Sequence, residues 1–156
     1  MPTDPNHALI EQLPHRGQMR LIDSVIHVDA HSAETATQWD ARRAGLHSPE
    51  APLSAYFGVE LIAQSAALPL IFAASEGTAH QGMIVQVKSF RAYGTMPTGE
   101  LSLTTRCAVE RLLDGQLASV TGQVFCVAAL CCEATLTLKM GSNAKYKDLT
   151  PGVFEA

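Results

Sequence analysis

The sequence predicts an α+β domain in which an antiparallel sheet of about five to six strands wraps around one long central helix. Three observations carry that prediction. The stretch from Phe57 to Ile71 is apolar nearly all the way round a helical wheel. Segments rich in β-branched residues come before it twice and after it about four times. Apolar residues make up 47% of the chain and charged residues 17%, a balance that calls for a packed core rather than disorder. A helix that is greasy on every side needs a sheet around it, because an antiparallel sheet offers one apolar face for burial. The 156 residues suit one domain, read as 1–140 with an irregular tail over 141–156, and a domain of this size buries roughly two-thirds of its extended surface.

The elements follow in order. Met19 to Asp29 is rich in β-branched residues and shows no helical stripe, so a strand is expected, then a turn over Asp29 to Ser32 and a second strand from Ala33 to Trp39. Gly45, Pro49 and Pro52 interrupt Asp40 to Leu53, which is a loop. Ser54 offers an N-cap, after which Phe57, Leu61, Gln64 and Leu68 recur at helical spacing beside Val59, Ile62, Ala66 and Ile71. Pro69 is expected to kink the helix or end its regular part, with Gly77 beyond its C-terminus. Four strands are expected over Met83 to Phe90, Glu100 to Arg111, Gln116 to Val127 and Leu130 to Met140, with Asp114 and Gly115 as a hairpin turn. Long edge strands of this kind invite pairing between copies, so a dimer is expected.

Composition excludes several function classes. The net charge is −4 and the 11 Lys and Arg residues are scattered, so no footprint for nucleic acid is visible. Met1 to Gln12 lacks the basic start and apolar run of a secretory signal, and Gln64, Ser65 and Pro69 break the most apolar stretch, so a cytoplasmic chain without a membrane span is expected. Cys107, Cys126, Cys131 and Cys132 form no Cys-x-x-Cys pair and are read as reduced, mostly buried hydrophobes. His27 and His31 are four apart in a strand and turn, where that spacing does not converge on one ion, so no metal site is predicted.

Two polar residues interrupt the apolar helix. Glu60 and Gln64 are four positions apart and therefore share one face, one turn apart. With Val59, Leu61, Ile62 and Ala63 around it, the Glu60 carboxyl is expected to have a raised pKa and to hold a proton near neutral pH. His47, in the loop before the helix, is the candidate general base. Backbone N–H groups at Ala55 and Tyr56 are candidates to stabilise an oxyanion.

Leu13, Pro14, His15 and Arg16, followed by Met19, Leu21, Ile22 and Asp23, resemble the opening motif of the β-hydroxyacyl-acyl carrier protein dehydratases of fatty acid synthesis. Gly58, Val59, Glu60, Ala63 and Gln64 are similar to the helix motif of that family. With Tyr56 and Phe57 just before Glu60, the nearer match is the divergent hotdog dehydratase-like proteins encoded with aryl polyene biosynthesis. The resemblance implies a hotdog fold, a dimer with composite sites, and a substrate delivered on phosphopantetheine by acyl carrier protein or coenzyme A, with no other cofactor. It implies Glu60 as catalytic acid, Gln64 as its support and His47 as catalytic histidine, and it gives His15 a structural part. Phe57, Leu61, Phe72 and Phe90 are the expected lining of an acyl tunnel, with Tyr56 beside them. Arg16, Arg20, Lys88 and Arg91 are within the choice of cations for phosphopantetheine or an acidic carrier, although surface solubility explains each.

The expected function is dehydration of 3-hydroxyacyl thioesters to trans-2-enoyl thioesters. Two alternatives stand beside it. One is a non-catalytic acyl-binding or partner subunit of a heteromeric dehydratase, motivated by the sequence Gly45, Leu46, His47, Ser48, Pro49, which departs from the family's Gly-His-Phe-Pro-Gly loop. The other is an acyl thioesterase, which an ionised Glu60 would favour.

Overall fold

The computed structural model describes residues 5–40, 43, 53–74, 80–94, 99–112 and 116–142. Among them are helix α1 (Pro5–Glu11), a 3-10 turn (Gly17–Met19), β1 (Ser24–Val28), β2 (Ser32–Trp39), helix α2 (Phe57–Ala73), β3 (His80–Ala92), β4 (Leu101–Arg111), β5 (Leu117–Cys126) and β6 (Ala129–Ser142). The six strands form one antiparallel sheet in the order β1-β2-β4-β5-β6-β3. It wraps α2, giving the hotdog architecture that the greasy helix called for. β6 continues to Ser142, two residues past the expected end of the domain.

Strand periodicity decides which side chains meet the helix. Ala33, Thr35, Thr37 and Trp39 of β2 are buried, as are Leu101, Leu103, Thr105, Cys107 and Val109 of β4. Ala118, Val120 and Val124 of β5 and Cys132, Ala134, Leu136 and Leu138 of β6 complete the face. From α2 they receive Leu61, Ile62, Ala66, Leu68 and Ile71, so one continuous core fills the wrap. Two glycines let the layers come this close. A Cβ on Gly58 would lie 2.2 Å from Cys132 Sγ, and one on Gly122 would lie 2.4 Å from Ile62 Cγ2.

Several expectations change. Only Ser24–Val28 of the predicted first strand is paired as strand. Residues 17–23 instead run as a 3-10 turn and an irregular segment, because side chains take up their backbone groups. Gln64 bonds Met19 O and Leu21 N, and the Thr37 hydroxyl donates to Leu21 O at 2.7 Å. Helix α1, which the sequence reading did not anticipate, buries Ile10, with Leu13 buried just beyond it. Ser54 does not cap α2 directly. It closes a turn ahead of it, its carbonyl accepting from Phe57 N and its hydroxyl from Tyr56 N, and the helix starts at Phe57. Pro69 does not end the helix, which continues to Ala73 with Pro69 buried inside it. Gly77 and the Asp114–Gly115 turn lie outside the described residues. The β5–β6 connection is a tight turn at Val127, whose φ of 56° is left-handed and whose side chain is exposed.

The sequence-predicted turn after β1 is built on Asp29, whose carboxylate accepts from His31 N at 2.8 Å, Ser32 N at 2.7 Å and the Ser32 hydroxyl at 3.0 Å. Cys107, Cys131 and Cys132 are buried free thiols, and Cys126 is half-buried. Burial pushes Cys107 up to about 12 and Cys132 up to about 11, so they behave as small hydrophobes. No helix among the described residues is long and apolar enough to cross a membrane.

Candidate active site

The site is built on the first turns of α2. Glu60 and Gln64 face the same way, as their spacing requires, and Gln64 Nε2 donates to Glu60 Oε1 at 2.9 Å. Gln64 is 1% exposed, yet its amide is well bonded. Its Nε2 also donates to Met19 O at 2.8 Å, and its Oε1 accepts from Leu21 N at 2.9 Å. One side chain thereby fastens the segment before β1 to the central helix and orients the carboxyl one turn away.

The segment held in this way brings His15 to the site. His15 Nε2 lies 3.1 Å from Glu60 Oε1, with the two side chains 29% and 32% exposed. The other ring nitrogen, Nδ1, is buried and has no partner among the described residues. The His15 hydrogen bond holds the Glu60 carboxyl below its ordinary range; the Gln64 donor adds to this, and together they outweigh burial, which raises it. The sequence expectation of a raised pKa is therefore corrected: apolar neighbours flank Glu60, but two donors converge on its oxygen. His15 was expected to be structural, and no local spacing connects it to Glu60. Only the Leu-Pro-His-Arg motif marked it at all.

Around this pair the chain is braced by polar groups. Arg16 folds back onto Leu13 O, His15 O and Glu11 O, fixing the backbone that carries His15. Arg20 pairs with Glu11 at 3.0 Å. Arg43, 4% exposed, bonds both oxygens of Asp23 at 2.8 and 3.1 Å and also Arg20 O. Arg16, Arg20 and Arg43 thus shape the segment, whereas Lys88 and Arg91 are exposed on β3.

The remaining predicted site residues divide. Phe57 meets Trp39 edge-on at 4.9 Å between centroids, and exposed Tyr56 stacks on Phe90 at 5.1 Å, so these aromatics flank the start of α2. Leu61 is fully buried in the core. Phe72 is not brought to them: it is exposed near the other end of α2, about 22 Å along the axis from Phe57. The Tyr56 N–H, one of the two groups expected to face an oxyanion, donates to the Ser54 hydroxyl. His47 and its neighbours lie outside the described residues. A groove of about 760 Å³ lined by Phe90, Arg91, Arg106, Gln123 and Glu133 opens on the sheet face turned away from α2, so it is not the Glu60 site. Among the described residues no three of His, Cys, Asp and Glu gather as a metal cluster would require.

A sheet wrapped on one helix defines the hotdog fold, and here a braced carboxyl sits in that helix's first turns. The family model of the ApeP dehydratases, ApeP-like, matches residues 7–147, and the chain belongs to that family. The resemblance read from Leu13 to Asp23 and from Gly58 to Gln64 is borne out. No curated protein matches the sequence. Among solved structures, the dehydratase heterocomplex ApeI:P from Xenorhabdus doucetiae is similar with a TM-score of 0.77 and 18% identity, covering 90% of this chain and 95% of that one. A thioesterase variant from Pseudomonas aeruginosa gives a TM-score of 0.65 at 15% identity, covering 90% and 96%. A thioesterase from Haemophilus influenzae gives 0.57 at 18% identity, covering 76% and 78%.

Proposed function

We propose that the chain dehydrates a 3-hydroxyacyl thioester, delivered on phosphopantetheine by an acyl carrier protein or coenzyme A, to the trans-2-enoyl thioester. The observation that carries this reading is Glu60, fixed by Gln64 on the central helix of an ApeP-family chain. The thioester carbonyl acidifies the C2 proton, which a base removes, and the C3 hydroxyl leaves as water once it is protonated. Glu60 handles the proton of that hydroxyl, and His47 is the proposed base at C2. The Tyr56–Phe90 and Phe57–Trp39 aromatic pairs offer an apolar wall for the acyl chain near Glu60.

The subunit works in a hotdog assembly in the cytoplasm. Strand β3 lies at a sheet edge and leaves Met83, Val85 and Val87 about half exposed, an apolar edge suited to a second hotdog chain. The partner is another copy or a different hotdog subunit, and the similarity to a dehydratase heterocomplex favours the second.

A second reading has its own support. An ionised Glu60 suits activation of water at the thioester carbon, which is thioesterase chemistry. One experiment separates the readings. Purified chain, alone and with a candidate hotdog partner, is given crotonyl and longer enoyl thioesters, and both hydration and thiol release are followed. Hydration that Glu60→Gln abolishes supports the dehydratase. Thiol release without hydration supports the hydrolase, and turnover that survives Glu60→Gln only with partner present makes this chain a non-catalytic subunit.

A further inference from the structure

We propose that His15 is a positioning residue of the candidate site: together with Gln64 it pins Glu60 Oε1 and leaves Oε2 as the oxygen presented to substrate. The inference rests on the dehydratase reading of Glu60 and adds to it the residue that determines which carboxyl oxygen reacts. Two nitrogens converge on one atom: Gln64 Nε2 donates to it at 2.9 Å, and His15 Nε2 lies 3.1 Å from it as an ion-pair partner. Oε2 has no hydrogen-bond partner among the described residues, on a side chain that is 32% exposed.

The surroundings of His15 fix its tautomer. Nδ1 is buried without a partner among the described residues. A proton there would be a buried, unpaired donor, whereas a bare nitrogen loses less on burial. The stable arrangement therefore carries the proton on Nε2 and donates it to a Glu60 carboxylate. Glu60 rests as the anion; Oε2 takes one proton from solvent water and gives it to the C3 hydroxyl, which leaves as water, while the base at C2 keeps the proton it removes and later returns it to solvent, and His15 and Gln64 hold Oε1 in place.

Other charges near the pair are already committed. On the N-terminal segment Arg16 bonds backbone carbonyls and Arg20 pairs with Glu11. Asp23 and Arg43 form a closed pair at 2.8 Å. From the sheet, Cys132 sits against Gly58, and burial keeps its thiol neutral. None of these replaces the His15 donor.

The test compares His15→Leu, which removes the donor, with His15→Gln, whose amide nitrogen can reach the position of Nε2. Enoyl thioester hydration is measured across pH, and the imidazole nitrogens of the unmodified chain and of Glu60→Gln are followed by 15N NMR. His15→Leu is expected to lower kcat about 10- to 100-fold with little change in KM, the size of losing one charge-assisted hydrogen bond. The limb of the pH profile belonging to Glu60 then moves to higher pH whichever of its forms is active, since a donor to the anion is gone while burial remains. His15→Gln should recover much of the rate and move the limb back. The NMR should show the Nε2–H tautomer in the unmodified chain and a changed Nε2 signal in Glu60→Gln. A His15→Leu profile that overlays the original, or an Nδ1–H tautomer, overturns the inference. Turnover unaffected by Glu60→Gln overturns instead the dehydratase reading on which it rests, and the NMR result still decides whether His15 is bonded to Glu60.

Discussion

Replacing Gln64 with Leu tests the central claim that one amide joins the N-terminal segment to the helix. The substitution preserves most of the volume but removes three hydrogen bonds, those to Leu21 N, Met19 O and Glu60 Oε1. Leu21 N–H sits in a buried segment with Leu21 itself 1% exposed, so it loses its partner away from water. One orphaned buried group costs about 1–3 kcal/mol, and the loss of the Met19 and Glu60 bonds brings the total to about 3 kcal/mol. For a chain of this length that lowers Tm by about 6–12 °C, read by circular dichroism or calorimetry. The companion Gln64→Glu keeps the acceptor for Leu21 but sets a second carboxylate against Glu60. Their repulsion raises the carboxyl pKa values in the folded state, so this variant should lose stability as pH rises from about 4 to 8. A Gln64→Leu protein melting within about 2 °C of the original would refute the reasoning, because the bonds would then contribute nothing to holding the segment.

Three further outcomes follow from the same packing. Arg43→Ala leaves Asp23 without its bidentate partner in a largely buried setting and should cost about 3–5 kcal/mol, measured by urea unfolding. Gly122→Ala drives a methyl into Ile62 and should cost roughly 1–3 kcal/mol, with Ile62→Ala in the same chain recovering part of it in a double-mutant cycle. Val127→Gly relieves a left-handed backbone at an exposed turn and should raise stability by roughly 1 kcal/mol, unlike most substitutions, as a higher urea midpoint will show.

What was legible in the sequence is what local spacing encodes. The four-residue interval of Glu60 and Gln64 placed both on one face, and runs rich in β-branched residues marked β2, β4, β5 and β6, whose alternating burial the structure then shows for β2 and β4. The β5–β6 turn was harder to read, since Val127 takes the left-handed position without a glycine or asparagine to announce it. The first strand was read too long because Met19 and Leu21 satisfy their backbone through Gln64, a residue of a different element. His15 escaped for the same reason: its contact with Glu60 exists only once that segment is fastened down. Phe72 shared the helix of Glu60 but not its end, and an apolar pattern alone does not distinguish the two ends of a helix that is buried all round. The direction of the Glu60 shift was misjudged because the apolar neighbours were weighed only for desolvation, while the largest lowering cause, His15, comes from 45 positions away in sequence and Gln64, though seen on the same face, was not counted as a donor to the anion.

The partners Gln64 chooses have a further meaning. Toward the segment it bonds only main-chain atoms, the carbonyl of Met19 and the amide of Leu21. Every residue except proline offers both groups, so the latch makes no demand on the side chain at position 19, which points half into solvent. The placement of the acid is therefore written in the path of the chain rather than in its spelling. At position 19 itself the side chain can change while the carboxyl keeps its address.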